Sequence, residues 1–143
     1  MLAREHGYSP KGAHAEWANA WVSETIADFG NKGHTKHMFA PEVSEEVVKA
    51  WTADMVSFNG HFEKHLASNG WKFMAGDNLT ASDFHLYSYY TSIPLNKTKK
   101  HANVSDALAA TLHTDATPHL NKWLGHMDHE LKHHMEIRPA AWI

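Results

Sequence analysis

The chain contains no cysteine. That excludes disulfides, thiolate catalysis and every cysteine-based zinc site, and it makes a reducing intracellular compartment, cytosolic or organellar, the expectation. Arginine is nearly absent as well. Only Arg4 and Arg138 occur, and the 13 Lys+Arg form no basic stripe, which argues against nucleic acid as a partner. No run of 18 apolar residues exists, so no segment is expected to span a membrane. The opening "MLAREHGYSPKG" lacks the apolar stretch and small-residue cleavage site of a signal peptide. Without a secretory signal, the sequons at Asn78, Asn96 and Asn103 read as coincidence. Nor does any segment alternate apolar and polar residues as a half-buried strand would.

What is present is one domain's worth of chain. At 143 residues and 43% hydrophobic, it is long and apolar enough to bury roughly 68–70% of its unfolded surface. Histidine is unusually abundant at 14 residues, against a formal net charge of −3. Protonating half of them, near about pH 6.5, carries the net charge to about +4, so solubility and partner choice depend on pH.

Apolar residues recur with helical spacing nearly throughout, and the expectation is all-α with about five helices. Trp17, Trp21, Val22, Ile26 and Phe29 form one stripe between about Ala13 and Gly30, followed by a loop, "GNKGHTKHMFAP". Ser44 is placed to cap a helix carrying Val47, Trp51, Met55, Phe58, Phe62 and Leu66, which Asn69-Gly70 ends. The strongest local signal is "LTASDF". Thr80 and Asp83 have capping-box spacing, and Leu79 and Phe84 occupy the two positions of a hydrophobic staple. The helix so opened carries Phe84, Tyr87 and Tyr90 and stops at Pro94. A short helix is expected from Ser105, burying Leu108 and Leu112. A last one opens with Thr117 as N-cap and Pro118 at its first position, and its apolar face runs from Leu120 through Trp123, Leu124, Met127 and Leu131 to Met135.

The block "FMAGDNLTASDFHLYSYYTSI" resembles the C-terminal helical domain of cytosolic glutathione S-transferases, with its aromatic, Gly-Asp turn and Leu-Thr-x-x-Asp opening a buried helix. "TPHLNKWLGHM" is similar to the family's Pro-x-Leu-x-x-Trp helix, and "AEWANAWVSETIADF" to its first long helix. The resemblance covers about Ala13 to Met135. It implies that Thr80 and Asp83 are structural, that residues 1–12 are the end of an interdomain helix and a linker, and that 13–143 is the helical domain. It also implies that the thioredoxin-like half, which holds the glutathione-activating residue, is absent from this sequence. No cofactor is then expected in this chain, and glutathione only if such a half is supplied. Family C-terminal domains line a hydrophobic substrate pocket and part of a dimer interface, which by position implicates Trp17, Trp21 and Trp142. Helical spacing alone instead assigns the first two to the core and Trp142 to closing its end.

One stretch invites a different chemistry. "HELKHH" matches H-E-x-x-H, the zinc-protease pattern of two histidines one turn apart with a glutamate base between them. In a chain this rich in histidine such a match arises by chance about one time in ten. Only ten residues remain downstream for a third ligand, and the motif flanks an apolar face already defined by Trp123 and Met127. No metal site is therefore assigned. His61 with His65, and His126 with His129 and His133, have spacing that can hold zinc or nickel weakly, as have His34 and His37. The plainer reading is a solvated histidine-rich surface. No G-x-S-x-G elbow occurs, and no catalytic residue is assigned.

Three functions fit. The preferred one is a non-catalytic scaffold or protein-interaction subunit, in which a protein partner or a second copy covers the apolar surface left by the missing half. The alternative is the hydrophobic-substrate-binding and dimerising half of an active glutathione transferase. A histidine-based metal-binding or pH-responsive module comes third.

Overall fold

In the computed structural model, which describes residues 2–70, 72–96 and 101–137, the organising element is the helix Glu45–Asn69. Its N–H groups start from Ser44, whose Oγ accepts from the Val47 N–H at 3.4 Å. Its end is set by Gly70, which takes a left-handed φ of 63° while its N–H donates to the Leu66 carbonyl. That conformation is one glycine adopts without the Cβ penalty. Along the helix Trp51, Met55, Phe58, Phe62 and Leu66 are buried, the three-and-four spacing expected of a core-facing stripe.

In chain order the elements are α1 (Leu2–Glu5), α2 (Ala13–Asn31), a 3₁₀ helix (His34–Phe39), α3 (Glu45–Asn69), α4 (Ala81–Ser92), α5 (Ala102–Ala109), α6 (Pro118–Glu130) and α7 (Lys132–Ile137). The fold is all-α. Among the described residues no strand forms, only an isolated bridge between Phe73 and Gly76. α2 packs chiefly on α4, while α3 packs on α5 and α6 and closes against α2. The core is one cluster, filled by α3 together with Val22, Leu86, Tyr90, Leu108, Leu120 and Trp123. Among the described residues no helix is long and apolar enough to cross a membrane.

Several expected details differ. The "GNKGHTKHMFAP" loop contains the 3₁₀ turn, entered through Gly33 at a left-handed φ of 79°. The short helix begins at Ala102, not Ser105, because Val104 also belongs to the core. Ser105 is buried inside that helix, and Leu112 is buried in the turn beyond it. Val48, not Val47, packs against the core at the start of α3. Thr117 stands at the N-cap of α6, but its hydroxyl donates to the Leu112 carbonyl at 2.7 Å instead of receiving from the helix. The capping is done from α3. Glu63 Oε2 accepts the Leu120 N–H at 2.9 Å, and Oε1 is 2.7 Å from His119 Nδ1. Finally, the last apolar stripe belongs to two helices, since the chain leaves helical geometry at Leu131 before α7 begins.

Candidate functional site

α2 and α3 lie side by side and antiparallel, with Trp21 against Phe62 at 5.6 Å between ring centroids and Phe29 against Phe58 at 4.3 Å. Towards its N-terminus α2 also meets the head of α4, where Asn19 Oδ1 accepts the Ser82 N–H at 3.1 Å. Ala18, not Trp17, fills the core position there, and Trp17 is 56% exposed. Helical spacing put Trp17 in the core, but the buried row of α2 is Ala18, Val22, Ile26 and Phe29, and Trp17 lies to one side of it and meets solvent. Trp21, one turn further on, is half-buried at the core's edge. The two indoles lie 6.2 Å apart and nearly parallel, at 13°, with the His14 ring 6.1 Å beyond Trp17. On the inner side Trp21 meets His65 at 4.7 Å. The result is a ladder of rings, His14–Trp17–Trp21–His65, running from solvent to the interior.

Beside this ladder a cleft of about 240 Å³ opens between the two helices. Trp21, Phe29 and Phe58 provide its aromatic walls, and Asp28, Lys32 and Asp54 its charged end. There the Asp54 carboxylate accepts from His34 Nε2 at 2.7 Å and from Lys32 Nζ at 2.6 Å. These bonds, His34's first, hold its carboxyl below the usual range. The His34 ring in turn stacks on Trp51 at 5.6 Å. The cleft thus has flat apolar surface and a fixed polar end, the composition of sites that take small ligands or a partner's side chain. Trp142, placed with Trp17 and Trp21 by sequence, lies outside the described residues.

Behind the face lies a fully buried polar hub. The capping box forms at the start of α4. Asp83 Oδ2 accepts the Thr80 N–H at 2.9 Å and the Thr80 hydroxyl at 2.8 Å, while Oδ1 accepts the Met74 N–H at 2.8 Å and the Trp123 indole N–H at 2.9 Å. Burial pushes the Asp83 carboxyl up, and the four donors only partly counter it. Of the staple residues, Leu79 is half-buried against the core. Phe84 meets the Tyr8 ring edge-on at 4.9 Å, and the Ala81 N–H donates to the Tyr8 carbonyl. The segment before α2 is therefore tied to the head of α4 at Tyr8.

The histidines proposed as weak metal ligands are dispersed. His65 is buried and its Nε2 lies 2.7 Å from the Met74 carbonyl, while His61 is exposed on the cleft's rim. His129 and His133 are exposed and straddle the break between α6 and α7. Glu130, the would-be base, pairs with Lys72 at 3.1 Å. His126 is half-buried beside Phe73. Among the described residues no three histidine or carboxylate side chains stand together as a metal site. The residue that sequence reasoning undervalued is His65. Its place between Phe62 and Leu66 on the apolar stripe was the available signal for burial.

Comparison with known proteins agrees with this geometry. Residues 27–127 match the family described as "Glutathione S-transferase, C-terminal domain". The fold is similar to that in the "Structure of NaGST-2", with a TM-score of 0.71 at 19% identity. The alignment covers 96% of this chain and 64% of that one, so the chain spans less than two thirds of the length of its structural neighbour. No curated protein matches the sequence significantly.

Proposed function

Because the chain belongs to the glutathione S-transferase C-terminal domain family, we propose that it is a protein-interaction subunit working through the Trp17–Trp21 face of α2 and α3. The observation that carries this reading is the exposure of Trp17, 56% open to solvent and stacked on a half-buried Trp21. A large aromatic ring held rigidly at the surface is the usual anchor of a protein interface, since it buries much apolar area at little cost in conformational entropy. In this reading the chain itself supplies no catalytic residue, and glutathione enters only with a thioredoxin-like partner. The test is native mass on the protein from its source and on the purified chain, repeated with Trp17→Ser. The reading holds if wild type sits in a larger assembly that the substitution disperses, and it fails if Trp17→Ser leaves the assembly intact.

A second reading has its own support. The aromatic-walled cleft of about 240 Å³ suits one wall of a hydrophobic substrate site in a glutathione transferase. It predicts a discrete dimer, or co-isolation with a thioredoxin-like chain, together with measurable glutathione conjugation. A discrete dimer that Trp17→Ser leaves intact and that shows no conjugation would count against both readings.

A further inference from the structure

His65 occupies a position that its helix alone does not explain. Its Nε2 lies 2.7 Å from the Met74 carbonyl, an atom that can only accept, so the hydrogen of the neutral ring is on Nε2 and Nδ1 is its acceptor nitrogen. Facing Nδ1 at 3.4 Å is the amide nitrogen of Asn69, which also donates to the His65 carbonyl at 2.8 Å and closes the last turn of α3. The Met74 N–H is held in turn by Asp83. The turn between α3 and α4 is thus pinned at one residue from both sides, by an imidazole on its carbonyl and a carboxylate on its amide. The outer face of the same imidazole lies against Trp21 at 4.7 Å.

We propose that His65 is a proton-operated latch beneath the aromatic face. A proton added at Nδ1 would point a donor at the Asn69 amide, itself a donor. Turning that amide over relieves the conflict but gives up its bond to the His65 carbonyl, so the end of α3 loosens. The new charge also lies against the Trp21 ring and acts on the Met74 clasp. The charged groups that bear on the ring come from two neighbouring elements, His14 on α2 opposing a positive charge and Asp83 on α4 favouring one. Burial, the largest influence, keeps the imidazole below its usual value near 6.5. The sign follows. The folded ring stays neutral where the unfolded one charges, so the latch is whole above about pH 6.5 and weakens as pH falls below it.

Only the consequence for docking rests on the Trp17–Trp21 reading, because the latch is tested without a partner. The experiment is NMR on the whole chain from about pH 8 to pH 5, following the His65 ring, the Trp21 indole N–H and the Met74 amide. All three are expected to move together with one midpoint below 6.5. Amide-exchange protection at residues 73–76, corrected for intrinsic rates, is expected to fall about tenfold. His65→Gln, which keeps a donor for Met74 but cannot charge, should remove the titration from Trp21 and Met74. Trp17→Ser should leave it unchanged even where docking is lost. The proposal is overturned if His65 titrates at or above its usual value, if Trp21 and Met74 do not move with it, or if the Gln variant keeps the wild-type profile. Should His65→Gln not fold, the wild-type titration decides alone.

Discussion

Around Asp83 four donors from three segments converge on one carboxylate with no solvent exposure, whereas around Trp17 more than half of an indole meets water. Both regions lie at the ends of helices and both use residues that elsewhere serve binding. The difference is in what surrounds them. At the hub each polar group is satisfied inside the chain, so the site can do little except hold α4, α6 and the turn before α4 in place. At the face the rings are ordered by stacking on one another, yet Trp17 remains 56% open to solvent. A region whose interactions are complete specifies the fold, and a region ordered yet incomplete is where a partner can add free energy.

The largest effect that would sharpen this contrast is at the hub. Asp83→Ala removes the acceptor of the Met74 and Thr80 N–H groups and of the Trp123 indole, all buried. It is expected to destabilise the protein by at least about 3 kcal/mol in chemical denaturation. A loss below about 1 kcal/mol would mean that the donors find water, and that the hub is not the fold's anchor. A smaller loss is expected deeper in the core. Tyr90→Phe leaves Asn59 Oδ1 without the hydroxyl that donates to it at 2.9 Å, while Asn59 keeps its bonds to Thr111, so about 1–2 kcal/mol is expected.

Glu63→Gln tests the cap that α3 lends to α6, and about 1 kcal/mol is expected at neutral pH. Burial alone would raise this carboxyl, but the Leu120 N–H and then His119 bring it below the ordinary 4.5. A lowered folded value means the contribution is whole above about 4.5 and is lost as pH falls through the folded value. The stability curves of wild type and variant should therefore converge on acidification. Curves that stay parallel would show that the carboxylate's charge adds nothing to the cap.

The legibility of these features in the sequence follows their locality. The capping box spans four residues of "LTASDF", so its spacing alone specified it. The stripes of α3 and α6 were equally plain because the helical period repeats over several turns. Glu63 caps a helix 57 residues further on, and nothing local marks it, least of all when Thr117 stands in the conventional place. His65 meets Met74 only because the turn between α3 and α4 folds back on the helix. Trp17 shows a different limit. It shares the period of Trp21, but both lie at the edge of the buried row of Ala18, Val22, Ile26 and Phe29, and periodicity marks a face without saying where its edge falls.

The smallest stability effect is expected from the residue to which the most function is assigned. Trp17→Ser removes a ring that fills no core position, and its loss should change stability by no more than about 0.5 kcal/mol. Its stacking on Trp21 is exposed on the outer side, so deletion leaves no cavity. The variant's denaturation midpoint should match wild type while its native mass drops. If instead it is destabilised by about 2 kcal/mol or more, Trp17 is a packing residue despite its exposure, and the division between a completed hub and an open face is wrong.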